Sequence, residues 1–204
     1  MTSNLHLILA SGSPRRRELM AEAGYAFTVV EPRPEAECGM CSGELPTELV
    51  ARLACQKAAD VVERIEAGSV DPQAGGRRMV VIGCDTVAEC QGQILGKPAD
   101  ERHSQQMLEL LSGREHRAYS GLCVWPLPGR EPMVRIATTT LRMRTLAASE
   151  IRDYLATGLW EGKAGAFGLQ DRLGWLSIVA GSESNVVGLP MELLTEMLTA
   201  ISSE

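Results

Sequence analysis

The sequence predicts an α/β protein: a mixed central sheet with flanking helices, arranged as two lobes around a cleft. Three observations predict it. Apolar runs of strand length alternate with stretches of helical periodicity along the 204 residues. No linker or internal repeat interrupts them, so a single domain over residues 1–204 is expected. The first apolar run passes through a tight turn directly into a helical pattern, the opening move of an α/β unit.

Taken in order, His6 to Ala10 is a strand and Ser11-Gly12-Ser13-Pro14 a turn. The helix from Arg15 to Ala23 has Ser13 at its N-cap and Pro14 at its first position, where a missing N–H costs nothing. Tyr25 to Val30 is a second strand, and Glu31 to Leu45, rich in Pro, Gly, Cys and acid, a loop. Pro46 to Glu66 carries apolar residues at helical spacing (Leu49, Leu53, Ala58, Val61, Val62, Ile65). After a polar loop, Met79 to Ile82 is a buried-type strand ending at Cys84-Asp85-Thr86, followed by a hairpin with Gln91-Gly92 at its tip. Ser104 to Leu111 is a helix closed by Gly113. His116 to Trp125 and Met133 to Arg144 are strands. Ser149 to Thr157 is a helix with Ser149 as N-cap, Leu176 to Ala180 a strand and Pro190 to Ile201 a final helix.

Composition narrows the function. The formal net charge is −6 and aromatics make up 4% of residues. An acidic chain with few rings is a poor binder of nucleic acid polymers, although a few convergent cations can still hold a small polyanion. No run of about 18 apolar residues is present, so no membrane span is expected. The N-terminus lacks the basic and apolar regions of a signal peptide, which points to the cytoplasm, where six cysteines stay reduced. Cys38 and Cys41 are the one close pair; a plain loop with two free thiols, a redox pair and a metal site are all open readings, but His6, His103 and His116 are not spaced to complete a zinc site.

Four segments could carry chemistry. Ser11-Gly12-Ser13-Pro14-Arg15-Arg16-Arg17 joins free backbone N–H groups, hydroxyls and arginines at a helix start, which makes an anion site; a capped helix with a solvated basic face is the alternative. Three consecutive helical arginines fan over about 200°, so not all can face one ligand. Asp85, at a strand end, can hold a metal or activate a water, or be a turn residue. Gly92-Gln93-Ile94-Leu95-Gly96-Lys97-Pro98 is no P-loop: three residues separate its glycines and Pro98 stands where a hydroxyl is required. Lys97 can still deliver a point charge to phosphate, or be an exposed hairpin lysine. Gly162-Lys163-Ala164-Gly165-Ala166-Phe167-Gly168-Leu169-Gln170 permits close backbone approach, and Gln170 offers both donor and acceptor to a nucleobase edge; a tight structural turn explains it equally. Outside these segments, Lys57 lies within a helix, where lysines are usually solvated, and Glu35 and Glu37 lie in the preceding loop, where a carboxylate can hold a metal or simply be solvated.

Together these segments, with Arg52-Leu53-Ala54, Lys57-Ala58, Leu110-Leu111-Ser112-Gly113 with His116, and Asn185-Val186-Val187-Gly188-Leu189-Pro190, resemble the Maf family in order and from end to end. The resemblance implies a fold related to inosine triphosphate pyrophosphatases and a cytoplasmic, divalent-metal-dependent (Mg²⁺ or Mn²⁺) nucleoside triphosphate pyrophosphatase. It implies Asp85 as the proton acceptor and a metal-binding group, with Glu35 as a second metal-binding carboxylate. Ser11, Arg15, Arg16, Lys57 and Lys97 would bind phosphate, and Arg15, Thr86 and Gln170 would set specificity. Those three residue types resemble the dTTP/UTP branch; the alternatives are the N7-methyl-GTP branch and a non-catalytic nucleotide-binding regulator of septum formation. The partner is then a nucleoside triphosphate, without nucleic acid or membrane, and a homodimer is left open. Three places depart from the family pattern: Cys84 replaces the usual Ser or Ala before the aspartate, Ala88-Glu89 follow Asp85-Thr86-Val87 where Val or another apolar residue is usual, and Gly162 replaces a common Asp before Lys163.

Overall fold

The computed structural model describes residues 4–39, 41–171 and 173–202, and of Gln170 its backbone. The chain runs β1 (Leu5–Ala10), α1 (Pro14–Glu22), β2 (Phe27–Val29), α2 (Pro46–Glu66), β3 (Arg78–Cys90), β4 (Gln93–Leu95), α3 (Glu101–Leu111), β5 (Glu115–Leu127), β6 (Met133–Met143), α4 (Ala148–Leu155), β7 (Leu176–Ala180), α5 (Glu183–Val187) and α6 (Met191–Ser202). Among the described residues the strands form one sheet in the order β2-β1-β3-β5-β6-β7, with β4 paired to β3. The sheet is mixed: β1 is parallel to β2 and β3, while β3–β4 and β6–β7 are antiparallel.

The chain divides into two compact units, and β3, β5 and β6 each pass from one into the other. The first holds the chain through Asp85, Ser120–Ala137 and the chain from Gly188; the second holds Thr86–Tyr119 and Thr138–Val187.

In the first unit, residue alternation along the strands builds a core on each face. Leu5, Leu7, Leu9, Val80, Ile82 and Cys84 pack with Met20 of α1 and with Leu194, Met197, Leu198 and Ile201 of α6. Ile8, Ala10 and Val81 pack with Ala54, Ala58, Val61 and Val62 of α2. Strands covered on both faces read as unbroken apolar runs, which is why β1 is visible in sequence. In the second unit, α3 and α4 supply Met107, Leu108, Leu111, Ile151 and Leu155 to a core that includes the rings of Tyr154, Phe167 and Trp175, with centroids 4.9–5.3 Å apart.

Several boundaries differ from expectation for identifiable reasons. The strand expected to stop at Ile82 continues through Asp85 to Cys90, so Asp85 is not at the end of its own strand. It lies two residues past Gly83, where pairing with β1 stops at Ala10. The strand whose carboxyl end adjoins Asp85 is therefore β1, not β3. Helix α3 starts at Glu101 because Asp100 Oδ1 accepts the amide of His103 at 2.7 Å. The N-cap of α4 is Ala147, not Ser149; the Glu150 carboxylate accepts the Ala147 amide at 2.9 Å and does the capping. At the tip of β3–β4, Gln91 (φ 53°) and Gly92 (φ 79°) both take the left-handed conformation of a two-residue hairpin turn, as expected. Helix α5 and the 3₁₀ turns at Pro34–Ala36, Ala164–Ala166 and Leu169–Asp171 are too short to show a period in the sequence.

Candidate active site

The β1–α1 turn folds around Ser11. Ser13 caps α1 by position but makes no side-chain cap bond. The Ser11 hydroxyl, 3% exposed, accepts the Ser13 amide at 3.1 Å and the Arg16 guanidinium at 3.3 Å. The arginines diverge as the helical fan requires. Arg16 turns inward and donates from Nε to the Gly188 carbonyl at 2.8 Å. Arg17 turns back onto the Gly12 carbonyl at 3.1 Å and toward Glu31. Arg15, which precedes both in sequence, is half-buried.

The Gly188 carbonyl also accepts the Cys84 thiol at 3.3 Å. One carbonyl oxygen thus joins the arginine turn to the residue beside Asp85. Arg16 and Cys84, the residue before Asp85, therefore meet at the same carbonyl.

Asp85 faces α2. The same face of β3 carries Gly83, where an added Cβ would stand 2.2 Å from the Ala54 carbonyl oxygen. On β5, an added Cβ at Gly121 would stand 2.1 Å from the Val50 carbonyl oxygen. Two glycines therefore let one side of α2 lie directly on backbone. Lys57 belongs to that side and is buried, unlike the solvated lysine that helical context suggests. Its Nζ lies 2.5 Å from Asp85 Oδ1 and 3.1 Å from Glu37 Oε2. Lys57 meets Asp85 through Oδ1, and the Asp85 side chain keeps 13% of its surface exposed.

The acidic loop is pinned to α2 by ion pairs. Buried Asp60 accepts the Arg33 amide and guanidinium and the Arg64 guanidinium, and Arg64 also holds the Glu31 carbonyl. Burial works against the Asp60 charge, but these donors outweigh it and hold its carboxyl below the usual range. Arg52 pairs with Glu44 at 2.7 Å and donates to the Cys38 thiol and carbonyl, which lifts its own pKa further. Glu37 is thereby delivered to Lys57. Glu35 sits exposed on the 3₁₀ turn, and no hydrogen bond or ion pair joins it to Lys57 or Asp85 among the described residues. Cys38 and Cys41 are exposed free thiols.

Oxygen donors converging beside a lysine suit a hard divalent ion completed by phosphate oxygens. Asp85 and Glu37 are such a pair. No group of three or more His, Cys, Asp or Glu able to hold a metal occurs among the described residues.

The family model described as Maf-like protein matches residues 6–201. The chain belongs to the Maf family. A relative from Rhodopirellula baltica is 49% identical over 193 residues, spanning 94% of this chain and 80% of the relative. One from Thermococcus gammatolerans is 40% identical over 94% of each chain, and one from Geotalea uraniireducens 38% identical over 94% of this chain and 92% of the relative. All three are named dTTP/UTP pyrophosphatase.

Two of the departures from the Maf pattern, Cys84 and Gly162, have a local setting in the structure. Cys84 donates its thiol to the Gly188 carbonyl. Gly162 carries no acid, and the counter-charge to Lys163 comes from Asp171 instead. In the second unit, Thr86 directly follows Asp85 on β3, and Lys97 is exposed just beyond β4. The Gly165 amide donates to the Gly96 carbonyl at 3.0 Å, tying the glycine-rich segment to the residue before Lys97. The Gln170 side chain lies outside the described residues. Sequence reasoning overlooked Asp171 just after this segment, Tyr154 of α4 and the Gly188 carbonyl in the first unit; no spacing rule marks an acid eight residues from its lysine or a lone carbonyl.

Proposed function

We propose that this protein is an enzyme that hydrolyses dTTP and UTP to the monophosphate and pyrophosphate. The observation that carries the proposal is the Lys57–Asp85 pair, joined through Cys84 and Gly188 to the arginine turn. The 49% identical relative, named for this activity, supports the nucleotide assignment.

The chemistry follows from charge and position. A nucleoside triphosphate carries about four negative charges, and its transition state needs cations aimed at the oxygens that gain charge. Ser11, Arg15, Arg16 and the start of α1 bind phosphate oxygens. Lys57 and Lys97 add point charges. Lys57 holds Asp85 by Oδ1, so Oδ2 receives the proton of a water that attacks the α-phosphorus. The α–β bridging bond breaks and pyrophosphate leaves. A divalent ion held by Asp85 and Glu37, with Glu35 as the alternative second carboxylate, would neutralise phosphate charge. Gln170 and Thr86 read the base, with Arg15 assisting. The Gln170 amide, with both a donor and an acceptor, can complement the O4 and N3–H edge shared by uracil and thymine.

Among the described residues no helix is long and apolar enough to cross a membrane. We place the enzyme in the cytoplasm, acting as a single domain on free nucleotides, with a homodimer as the expected assembly if any forms.

Pyrophosphate release measured across dTTP, UTP, CTP, N7-methyl-GTP and canonical purine triphosphates, with Mg²⁺ and Mn²⁺ varied, tests the reading. Turnover strongest on dTTP and UTP supports it. Preference for N7-methyl-GTP would move the chain to the other branch, and binding without hydrolysis would make it a nucleotide-dependent regulator.

A further inference from the structure

The glycine-rich segment is held by a buried polar cluster to which no role has been given. Lys163 and Asp171 form an ion pair with side chains 9% and 5% exposed. Asp171 also accepts the Tyr154 hydroxyl at 2.9 Å and the Gly168 amide at 3.1 Å. The same Tyr154 hydroxyl reaches the Ala166 carbonyl at 3.2 Å.

Ala166 is the telling residue. It is fully buried and has φ 64°, a left-handed conformation that costs a residue with a Cβ. Such a residue persists only where its surroundings over-determine it. Here the Ala166 amide donates to the Lys163 carbonyl at 3.1 Å, the Gly165 amide to Gly96, and the Ala166 carbonyl meets Tyr154. Gly165 is itself confined, since an added Cβ would lie 3.2 Å from Ala88 Cβ.

A buried ion pair contributes little net stability, because desolvation offsets the Coulomb attraction, and apolar residues of similar volume often do as well. Stability alone therefore does not explain Lys163 and Asp171. Their contacts instead fix one backbone path. Gln170 directly precedes Asp171, so the path that Asp171 fixes is the path on which Gln170 is carried. The Gly165–Gly96 bond extends the same constraint to the residue beside Lys97.

We infer that Lys163, Asp171 and Tyr154 form a clasp that positions the segment bearing Gln170, and so sets nucleotide discrimination without touching the substrate. Lys163, buried and turned onto Asp171, acts here as a positioning group. The discriminating role rests on the dTTP/UTP reading above, whereas the clasp itself does not.

The test uses the full chain with Tyr154→Phe, which keeps the ring packing and removes only the hydroxyl, and Asp171→Asn, which removes the charge. Amide hydrogen exchange without nucleotide should rise about tenfold or more at Gly165, Ala166 and Gly168 in Tyr154→Phe, because local opening is governed by these bonds. The ratio of kcat/KM for dTTP over CTP should fall by about tenfold, mainly through KM for dTTP, since small displacements of a positioning segment cost one to two orders of magnitude. Unchanged exchange in the well-folded Tyr154→Phe protein would overturn the clasp, whatever the substrate. Faster exchange with an unchanged dTTP/CTP ratio would overturn its role in discrimination. Absence of dTTP and UTP turnover by the unmodified protein would defeat the activity and the discriminating role together, while the exchange measurement would still decide the clasp.

Discussion

Gly83 on β3 lies directly beneath the Ala54 carbonyl of α2, so close that a methyl group would come to 2.2 Å from the oxygen. Lys57 is one helical turn beyond Ala54, and Asp85 two strand residues beyond Gly83. The register of these two elements is what places an ammonium against a carboxylate.

Gly83→Ala should therefore cost both stability and activity. The obstructing atom is backbone oxygen and cannot rotate away, so the helix must lift, at about 3 kcal/mol. Chemical denaturation of the variant should show the lower midpoint. Turnover measured below that midpoint should be reduced more than the folded fraction explains.

Asp85→Asn should fold normally and lose activity. The amide keeps the volume and can still face Lys57, but it does not accept the proton of the attacking water. A fall of 10²–10³ or more in kcat is expected, the usual magnitude for a group acting at the transition state. Circular dichroism and thermal melting check the fold. Pyrophosphate release at the unmodified rate would remove Asp85 from the mechanism.

Glu37 and Glu35 should separate in a metal titration. Glu37 reaches Lys57 and Glu35 does not, so Glu37→Gln should raise the Mg²⁺ concentration needed for half-maximal activity by about tenfold, in line with the loss of one carboxylate ligand. Glu35→Gln should shift it little. The opposite ranking would make Glu35 the second carboxylate. Removing divalent ions with EDTA should stop turnover in every variant, and adding Mg²⁺ or Mn²⁺ should restore it.

Acid should weaken the fold before any carboxylate titrates. His6 accepts the Arg77 guanidinium on Nδ1 at 2.8 Å and meets the Thr28 hydroxyl through Nε2 at 3.0 Å. Burial, and then the charge of Arg77, push its pKa down; burial does the same to His116. The unfolded chain then takes up protons near pH 6.5 that the native state refuses. The stabilisation from neutral histidines is complete above that pH and is lost as pH falls toward the native values. Melting temperature should decline from pH 7.5 to pH 5.5, and His6→Gln should melt lower overall but with a flatter pH profile.

The sequence carried the architecture further than the contacts. Helix α2 was legible over Pro46–Glu66 because its apolar residues repeat with helical period, and β7 over Leu176–Ala180 because an apolar stretch is bounded by turn residues. Asp85 and the arginine turn were visible as residue types that cluster at ligand sites. The depth of Lys57 was not legible, because it depends on Gly83 and Gly121 thinning two strands, and a glycine in a strand does not reveal what crosses it. The choice of Glu37 over Glu35 depends on ion pairs from Asp60 and Arg52 across the loop. The partner of Lys163 lies across a turn whose path is set by an alanine at positive φ, for which no local pattern exists.

The central claim is that water, activated at Asp85, attacks the α-phosphorus. Hydrolysis of dTTP in ¹⁸O-labelled water, with both products analysed by mass spectrometry, tests it most directly. The account predicts one labelled oxygen in dTMP and none in pyrophosphate, with the reaction lost in Asp85→Asn. Label in pyrophosphate, or dTDP and orthophosphate as products, would contradict it.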